Sequence, residues 1–147
     1  MNTLAAQLNE RWFKMATTTG SSGIVKLAVA QGTVAVVGEV RSYTIETSAD
    51  TIEDSIMGDT ARTYKAGLEA STVSLECYWD DTDAQQLVLD SRASIDFEIY
   101  PTGTGTGEKY YTGNGIVTSK SITAAFDGMV EGTFAIQVNG AVTEATA

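Results

Sequence analysis

The sequence predicts a mainly β domain in which two antiparallel sheets pack as a sandwich or barrel, with one flanking α-helix. Three observations predict this fold class. About eight short segments are rich in β-branched and aromatic residues and alternate between apolar and polar side chains. Turn-forming residues such as Gly, Asn and Asp separate these segments. One stretch has the spacing of a capped helix.

The clearest strands are predicted at residues 38–46 and 70–79. The second of them has an apolar row that alternates with polar residues and should face the core. This row consists of Val73, Leu75, Cys77 and Trp79. The remaining strands are predicted at residues 24–30, 33–37, 93–100, 109–118, 119–126 and 129–139. Ile95, Phe97 and Ile99 are predicted to share one face of their strand. The inward residues of the last strand are predicted to be Val130, Phe134, Ile136 and Val138.

The predicted helix begins at the start of an acidic stretch and runs to about residue 90. Thr82 stands three residues before Gln85, which is the spacing of a capping box. Asp81 and Asp83 fall where the helix dipole favours negative charge. The residues that this helix is predicted to bury are Ala84, Leu87 and Val88.

Composition narrows the function classes. The chain has 147 residues, the size of one domain, and 19 acidic against 9 basic residues give a net charge of −10. This balance argues against a protein that holds nucleic acid through phosphate contacts, which needs a basic surface. The sequence contains no histidine and no recognisable nucleophile–base set, so no catalytic residue and no cofactor is predicted.

The single cysteine and the hydropathy pattern bear on the cellular compartment. Cys77 alone cannot form an intrachain disulfide, and its apolar row is typical of a small buried side chain. No run of about 18 apolar residues is present, so no transmembrane helix is predicted. The N-terminus lacks the apolar core of a signal peptide, which indicates a protein made inside a cell.

The predicted organisation is one domain with an arm before it and a tail after it. Residues 1–23 form an N-terminal arm and linker. Within it, residues 1–14 are interpreted either as an extended arm or extension upstream of a start at Met15, or as a docked helix. The domain covers residues 24–143, and residues 144–147 belong to a loose C-terminal tail.

Residues 47–69 are predicted to form a long acidic loop between the two central strands. Hairpin connections usually have about two to five residues, and much longer loops are uncommon unless functional. Ile52, Ile56 and Met57 stand in the middle of this loop, which favours contact with another copy of the chain. A solvated acidic loop and a cation site are the alternatives. The charged residues considered are Asp50, Glu53, Asp54, Asp59, Arg62 and Lys65.

Other motifs have plainer structural explanations. Asp80, Asp81 and Asp83 lack the Gly and Glu of a calcium loop and fit a helix N-terminus. Residues 103–109 lack a phosphate loop's continuation into a helix, because Lys109 opens a strand. No metal ligand set is predicted. Strand aromatics usually pack in cores or interfaces, although they also suit a carbohydrate-binding platform. They are Tyr43, Tyr64, Tyr78, Trp79, Tyr100, Tyr110 and Tyr111.

A family resemblance rests on an ordered set of segments rather than on one motif. The segments are EVRSYTIETSADTIEDSIMGDTARTYKAGL, ECYWDDTD, FEIYPTGTGTGEKYYTG and SITAAFDGMVEGTFAIQVNGAVT. In this order they closely resemble the major tail tube proteins of long-tailed (siphovirus-type) bacteriophages. The resemblance runs from residue 24 to residue 143, and it does not include residues 1–14.

The resemblance implies a structural protein with the phage tail tube fold, in which two packed antiparallel sheets are flanked by one helix. Members form hexameric rings that stack into a hollow tube, and one sheet of each subunit joins its neighbours in a continuous inner barrel. Viral DNA passes through the lumen without specific binding. The loop at residues 47–69 is then expected to reach an adjacent ring, and both termini are expected to make further ring contacts.

The resemblance also implies partners and a location. The partners are further copies of the chain and the tape measure, tail terminator and baseplate or tail tip proteins of the phage, with no membrane involved. The location is the tail of the virion, with assembly in the host cytoplasm.

An acidic lumen would repel phosphate groups and let DNA slide. The candidate lumen-facing acids lie on outward faces of predicted strands, and the sequence does not identify the sheet that faces inward. These candidates are Glu76, Asp96, Glu98 and Glu131. From the residues alone, a second class of function stays open: a β-sandwich binding module that recognises carbohydrate or another ligand.

Overall fold

The computed structural model describes residues 19–147 and confirms a mainly β, antiparallel fold with one small helix. The interpretation of residues 1–14 lies outside the described residues. A 3-10 turn at Gly20–Ser22 precedes the first strand. The strands are β1 (Ile24–Val29), β2 (Ala35–Val36), β3 (Val40–Glu53), β4 (Tyr64–Tyr78), β5 (Ser94–Tyr100), β6 (Lys109–Thr123), β7 (Glu131–Val138) and β8 (Thr143–Thr146), and the helix is α1 (Ala84–Val88).

All the described strands belong to one hydrogen-bonded sheet in the order β2-β1-β5-β6-β7-β4-β3, and β8 pairs with the beginning of β6. The sheet folds over on itself. A Cβ atom placed on Gly23, just before β1, would lie 3.3 Å from the ring of Tyr43 on β3, although β1 and β3 stand far apart in the strand order. The two predicted sheets are therefore two halves of one sheet.

The strand β6 belongs to both halves. Its residues 111–116 pair with β5, and its residues 115–123 pair with β7. A register shift between Val117 and Ser119 marks the passage from one half to the other. We call β2, β1, β5, β8 and the start of β6 the first layer, and the end of β6 with β7, β4 and β3 the second layer.

One hydrophobic core lies between the two layers. The predicted apolar rows of β4, β5 and β7 are almost completely buried, except for Trp79 and Val130 at their ends. Close packing also excludes side chains at some positions: a Cβ on Gly113 would lie 2.8 Å from the Phe97 ring. The core cluster consists of Val25, Leu27, Val37, Val73, Leu75, Cys77, Leu89, Ile95, Phe97, Ile99, Val117, Phe134, Ile136 and Val138.

Two strand predictions were wrong. Residues 109–123 form one long strand, β6, and residues 124–126 lie in the turn that follows, because pairing with β7 keeps the chain extended past residue 118. The predicted loose tail contains β8, which pairs with Lys109–Thr112 and completes the first layer. In both cases the ladder partners are distant in sequence, so local composition does not reveal them.

The helix is shorter than predicted and has a different buried face. Asp83, not Thr82, is the N-cap, and its carboxylate accepts from the backbone N–H groups of Gln85 and Gln86. Ala84 and Leu87 are not buried as predicted, Val88 is half-buried, and Gln86 is fully buried.

Gln86 is buried because its polar atoms are satisfied. Its side-chain amide donates to the carbonyl oxygens of Gly38 and Tyr78 at 3.1 and 3.0 Å, and its Oε1 accepts from the N–H of Asp80 at 2.9 Å. Asp83 Oδ2 adds a bond from the N–H of Gly38 at 2.6 Å. Hydrogen bonds thus fix helix α1 to the beginning of β3 and the end of β4. A pattern of hydrophobic residues does not predict such bonds.

Two residues predicted to be inward are only partly buried. Trp79 lies just beyond the end of β4 and is half-buried, with its ring centroid 6.4 Å from that of Phe134. Val130 precedes β7 and is exposed, although its carbonyl accepts from the N–H of Trp79 at 2.8 Å. Both stand at the rim of the core because the strands end before them.

Candidate functional site

The segment at residues 47–69 is a projecting hairpin and not an irregular loop. Strands β3 and β4 continue to pair through it, from Thr47 opposite Ser71 to Glu53 opposite Tyr64, with an irregularity after Ala49. Only residues 54–63 at the tip are outside the strands. We call residues 47–71 the β3–β4 arm. The seven residues of β3 from Thr47 to Glu53, at roughly 3.3 Å per residue, give the arm a length of roughly 23 Å.

The β3–β4 arm extends past the rest of its layer. The last pairing of β4 with β7 joins Thr72 to Gln137, and β7 ends at Val138. Beyond that point the described chain places no third strand beside β4, so the arm, apart from the buried Ser71 at its base, is a two-stranded ribbon exposed on both faces. A ribbon of this kind is at best marginally stable alone in water.

The apolar residues predicted to seek a partner are exposed in the single chain. Ile52 and Ile56 are 60% and 74% exposed, and Met57 is fully exposed. Sequence reasoning missed two further apolar side chains on the same arm, Tyr64 and Leu68, which are 53% and 87% exposed. The sequence could have indicated them only as apolar residues that stand in a polar stretch without an evident role.

The charged residues of the arm largely serve its own structure. Lys65 Nζ lies 3.2 Å from Asp54, and Arg62 lies 3.7 Å from Glu53. Hydrogen bonds from the Thr63 side chain and from Lys65 lower the pKa of Asp54 below its usual range. The Asp59 carboxylate accepts from the N–H of Ile56 at 2.9 Å and closes the tip.

These contacts leave the acids of the arm dispersed. Asp50 lies beside Gly67 of the neighbouring strand. The two backbones are so close that a Cβ atom added to Gly67 would lie 3.0 Å from the Asp50 carbonyl oxygen. Within residues 19–147, acidic and cysteine side chains form no group of three arranged to hold a metal ion.

The four candidate lumen acids do not share one surface. Glu76 and Glu131 lie on the outer face of the second layer, where they contact Ser42 (2.9 Å) and Arg41. Asp96 and Glu98 lie on β5, in the first layer. Because the layers pack face to face around the core, their outer faces point in opposite directions, so only one pair can line a given lumen.

The outer face of the second layer consists mainly of small hydroxyl side chains. Ser42, Glu76, Thr133 and Ser121 form one cross-strand row, and Thr44, Ser74, Ala135 and Ser119 form the next. Its charged residues are Glu46, Glu76, Glu131 and Arg41, so three negative charges face one positive charge.

The outer face of the first layer is built differently. Asp96 accepts from the N–H of Gln31 and the amide of Asn114, both at 2.7 Å. The rings of Tyr100 and Tyr110 stack at 4.7 Å, and Lys26 Nζ lies 4.7 Å from the centre of the Tyr100 ring. Tyr100 is buried by these neighbours rather than exposed as its strand position predicts; burial, with help from Glu98, raises its pKa to about 12.

The remaining sequence motifs have structural roles. Asp80 Oδ1 accepts from the N–H and hydroxyl of Thr82 at 2.8 and 2.7 Å, so Asp80 and Asp83 organise the start of α1. In residues 103–109, Gly107 donates its N–H to the carbonyl of Ala147 at 2.9 Å, which ties this turn to the end of the chain. The seven aromatic residues are divided among the arm, the rim of the core and both layers.

Comparison with known families and structures agrees with this architecture. A family model described as "phage tail tube protein" matches residues 17–144. The comparison with curated proteins gives no match. Among the described residues, no helix has the length and apolar character needed to cross a membrane.

Solved structures share the fold over most of their length. A subunit from the tail of an empty gene transfer agent particle, refined with C6 symmetry, has a TM-score of 0.72 and 19% identity, covering 88% of this chain and 100% of that one. The SPP1 tail tube has a TM-score of 0.75 and 15% identity, covering 89% and 80%. A sheath–tube complex of an extracellular contractile injection system has a TM-score of 0.65 and 12% identity, covering 94% and 97%.

Proposed function

Since the chain belongs to the phage tail tube protein family, we propose that it assembles into stacked hexameric rings forming a hollow tail tube through which DNA passes. Its family is structural and not enzymatic, and the protein is a component of the virion tail. The sixfold symmetry is proposed by analogy with the gene transfer agent tail, whose structure was refined with C6 symmetry.

The observation that carries the proposal is the β3–β4 arm. It projects by roughly 23 Å as two strands with exposed apolar residues on its surface, and such a ribbon gains stability only when another surface covers it. The single chain offers no such surface beyond β7 among its described residues. A neighbouring copy, repeated along a tube, provides one for each arm.

The even number of antiparallel strands in the second layer supports a closed inner barrel. Its four strands alternate in direction from β6 to β3. On the described part of the chain, β3 has a free edge, and residues 119–123 of β6 extend beyond their pairing with β5. Rotation about a ring axis that brings β3 of one copy beside β6 of the next keeps all strands antiparallel and leaves no exposed edge.

We assign the outer face of the second layer to the lumen. Small hydroxyl side chains make it smooth, and its net negative charge repels phosphate groups, so DNA can pass without being held. Glu76 and Glu131, together with Glu46, would then face the DNA. Asp96 and Glu98 would lie on the outside with the Tyr100–Tyr110 stack.

The proposal also extends to partners at the tube ends. Structural neighbours include chains from an injection-system baseplate and from a tube-terminating cap. We expect the terminal rings of this protein to bind a terminator at one end and baseplate or tail tip proteins at the other, with a tape measure protein in the lumen.

Electron microscopy of the concentrated, purified chain tests the tube, and a charge reversal tests the lumen. We expect hollow tubes with sixfold rings. Glu76→Lys should make assembled tubes retain DNA that resists nuclease, whereas Glu98→Lys, the matched charge reversal on the first layer, should retain only nuclease-sensitive DNA. A chain that stays monomeric and binds glycans would instead favour the binding-module alternative.

A further inference from the structure

A second exposed apolar surface lies on the connection between β6 and β7. Phe126 is fully exposed, and Met129 is 63% exposed. Ile122 at the end of β6 and Val130 before β7 are also exposed. We call residues 122–130 the β6–β7 turn. Its backbone is closed by the N–H of Gly128, which donates to the carbonyl of Ala125 at 3.2 Å.

The β6–β7 turn and the β3–β4 arm lie at opposite ends of the second layer. The ladder between β4 and β7 runs from Thr72 opposite Gln137 to Tyr78 opposite Glu131. The arm leaves the layer beyond the Thr72 end, and the turn leaves it beyond the Glu131 end. A copy of the chain placed in line with the first therefore brings its turn toward the first copy's arm.

We infer that the β6–β7 turn of one subunit is the surface that receives the β3–β4 arm of a subunit in the adjacent ring. The inference rests on the proposed tube and adds the identity of the receiving surface. Stacking of identical rings is a heterologous contact, in which two different patches of the chain must meet. The structure supplies one apolar patch at each end of the same layer, and residues 19–147 of the same chain leave each of them uncovered.

Charge is compatible with this pairing. Asp127 is exposed beside Phe126, and the two cations of the arm, Arg62 and Lys65, have side chains that are 74% and 75% exposed. In the contact, the apolar side chains of both patches lose water, and Asp127 approaches Arg62 and Lys65, whose exposed side chains also pair with Glu53 and Asp54 of their own arm. Burial of one aromatic side chain changes an association constant by a factor of about ten to a hundred.

Disulfide trapping tests the contact directly. Met57→Cys and Phe126→Cys are purified separately, mixed in equal amounts, assembled and oxidised, and cross-linked peptides are identified by mass spectrometry. Cys77 can stay, because it is fully buried. The matched control pairs Met57→Cys with Leu87→Cys, whose exposed side chain lies on α1. We expect a dominant heterodimer cross-linked between positions 57 and 126, and little product in the control.

A second measurement does not depend on disulfide geometry. Phe126→Ser should raise the protein concentration needed for tube formation by about ten- to a hundredfold and leave the melting temperature of the monomer unchanged, because the ring is exposed. Leu87→Ser should assemble at about the wild-type concentration.

The outcomes separate the two proposals. Tubes in which Met57→Cys links to Leu87→Cys or to itself, and not to position 126, would overturn the receiving surface and leave the tube proposal intact. So would Phe126→Ser tubes that form at the wild-type concentration. Wild-type protein that forms no tubes at high concentration would overturn both.

Discussion

The two ends of strand β4 behave in opposite ways. From residue 71 to residue 77, buried and exposed residues alternate without exception, with Val73, Leu75 and Cys77 inside. From residue 64 to residue 70, the same strand is exposed or nearly so at every position. Both halves pair with β3, in a ladder whose register shifts after Val40 and after Ala49. Alternation therefore marks where a strand meets the core of its own chain, and its loss marks where a strand is left for another partner.

If this comparison is right, the core half of the molecule controls stability. Phe134 is completely buried between the layers, so Phe134→Ala should lower the free energy of unfolding by about 3–5 kcal/mol. Urea denaturation followed by circular dichroism measures the change. A loss below about 1 kcal/mol would mean that the two layers do not enclose Phe134.

Trp79 sharpens the comparison, because it stands at the boundary. Its ring contacts the core cluster but remains partly exposed, and Lys120 Nζ lies 5.1 Å from its centre. Trp79→Ala should therefore destabilise the fold by roughly 1–3 kcal/mol, less than Phe134→Ala. The same denaturation experiment ranks the two variants, and the reverse order would place Trp79 inside the core.

The arm should show the opposite behaviour, with an effect on assembly and almost none on folding. Thr51 pairs with Ala66, so replacing residues 52–65 by Asn-Gly closes a shorter hairpin on the same strands. We expect the free energy of unfolding to stay within about 0.5 kcal/mol of wild type, because the removed side chains touch little. We also expect electron microscopy to find no tubes.

A variant of similar kind provides the control for that experiment. Shortening the turn at residues 103–107, which lies away from the second layer, should leave tubes in place. Normal tubes from the arm-shortened protein would show that the arm is not the stacking element.

The smallest expected effect is the slow reaction of the buried Cys77 thiol in the native protein. Burial, with a smaller contribution from the charge of Asp83, raises the pKa of this thiol to about 11, so almost no thiolate is present near neutral pH. A chromogenic thiol reagent should react with native protein very slowly and with one thiol per chain in denaturant. Rapid labelling of the native protein would show that the C-terminal end of β4 opens readily.

The parts of the fold that pack against the chain's own hydrophobic core could be predicted from the sequence. The rows of β4, β5 and β7 were predicted correctly, except for Trp79 and Val130 beyond the strand ends, because each strand has one buried face. The helix phase was wrong because Gln86, a polar residue, occupies the buried position through three hydrogen bonds to the backbone of Gly38, Tyr78 and Asp80. No periodicity of apolar residues encodes such a contact.

The candidate site was predictable in composition and not in shape. Ile52, Ile56 and Met57 were identified as unpartnered, and the structure leaves them exposed. Their arrangement on a paired ribbon was missed, because a ribbon without a buried face has no alternation to read. The division of the lumen acids was also out of reach, since it depends on which strands share a layer.

The path of β6 through both layers has a mechanical consequence. The two layers of the subunit are not separate sheets held by side-chain packing alone; one continuous backbone and its ladders join them. Sliding one layer over the other would require breaking main-chain hydrogen bonds along β6, whereas tilting one ring against the next in the proposed tube would disturb only the contacts between subunits. A tube of such subunits should resist shear within its wall and bend at the joints between rings.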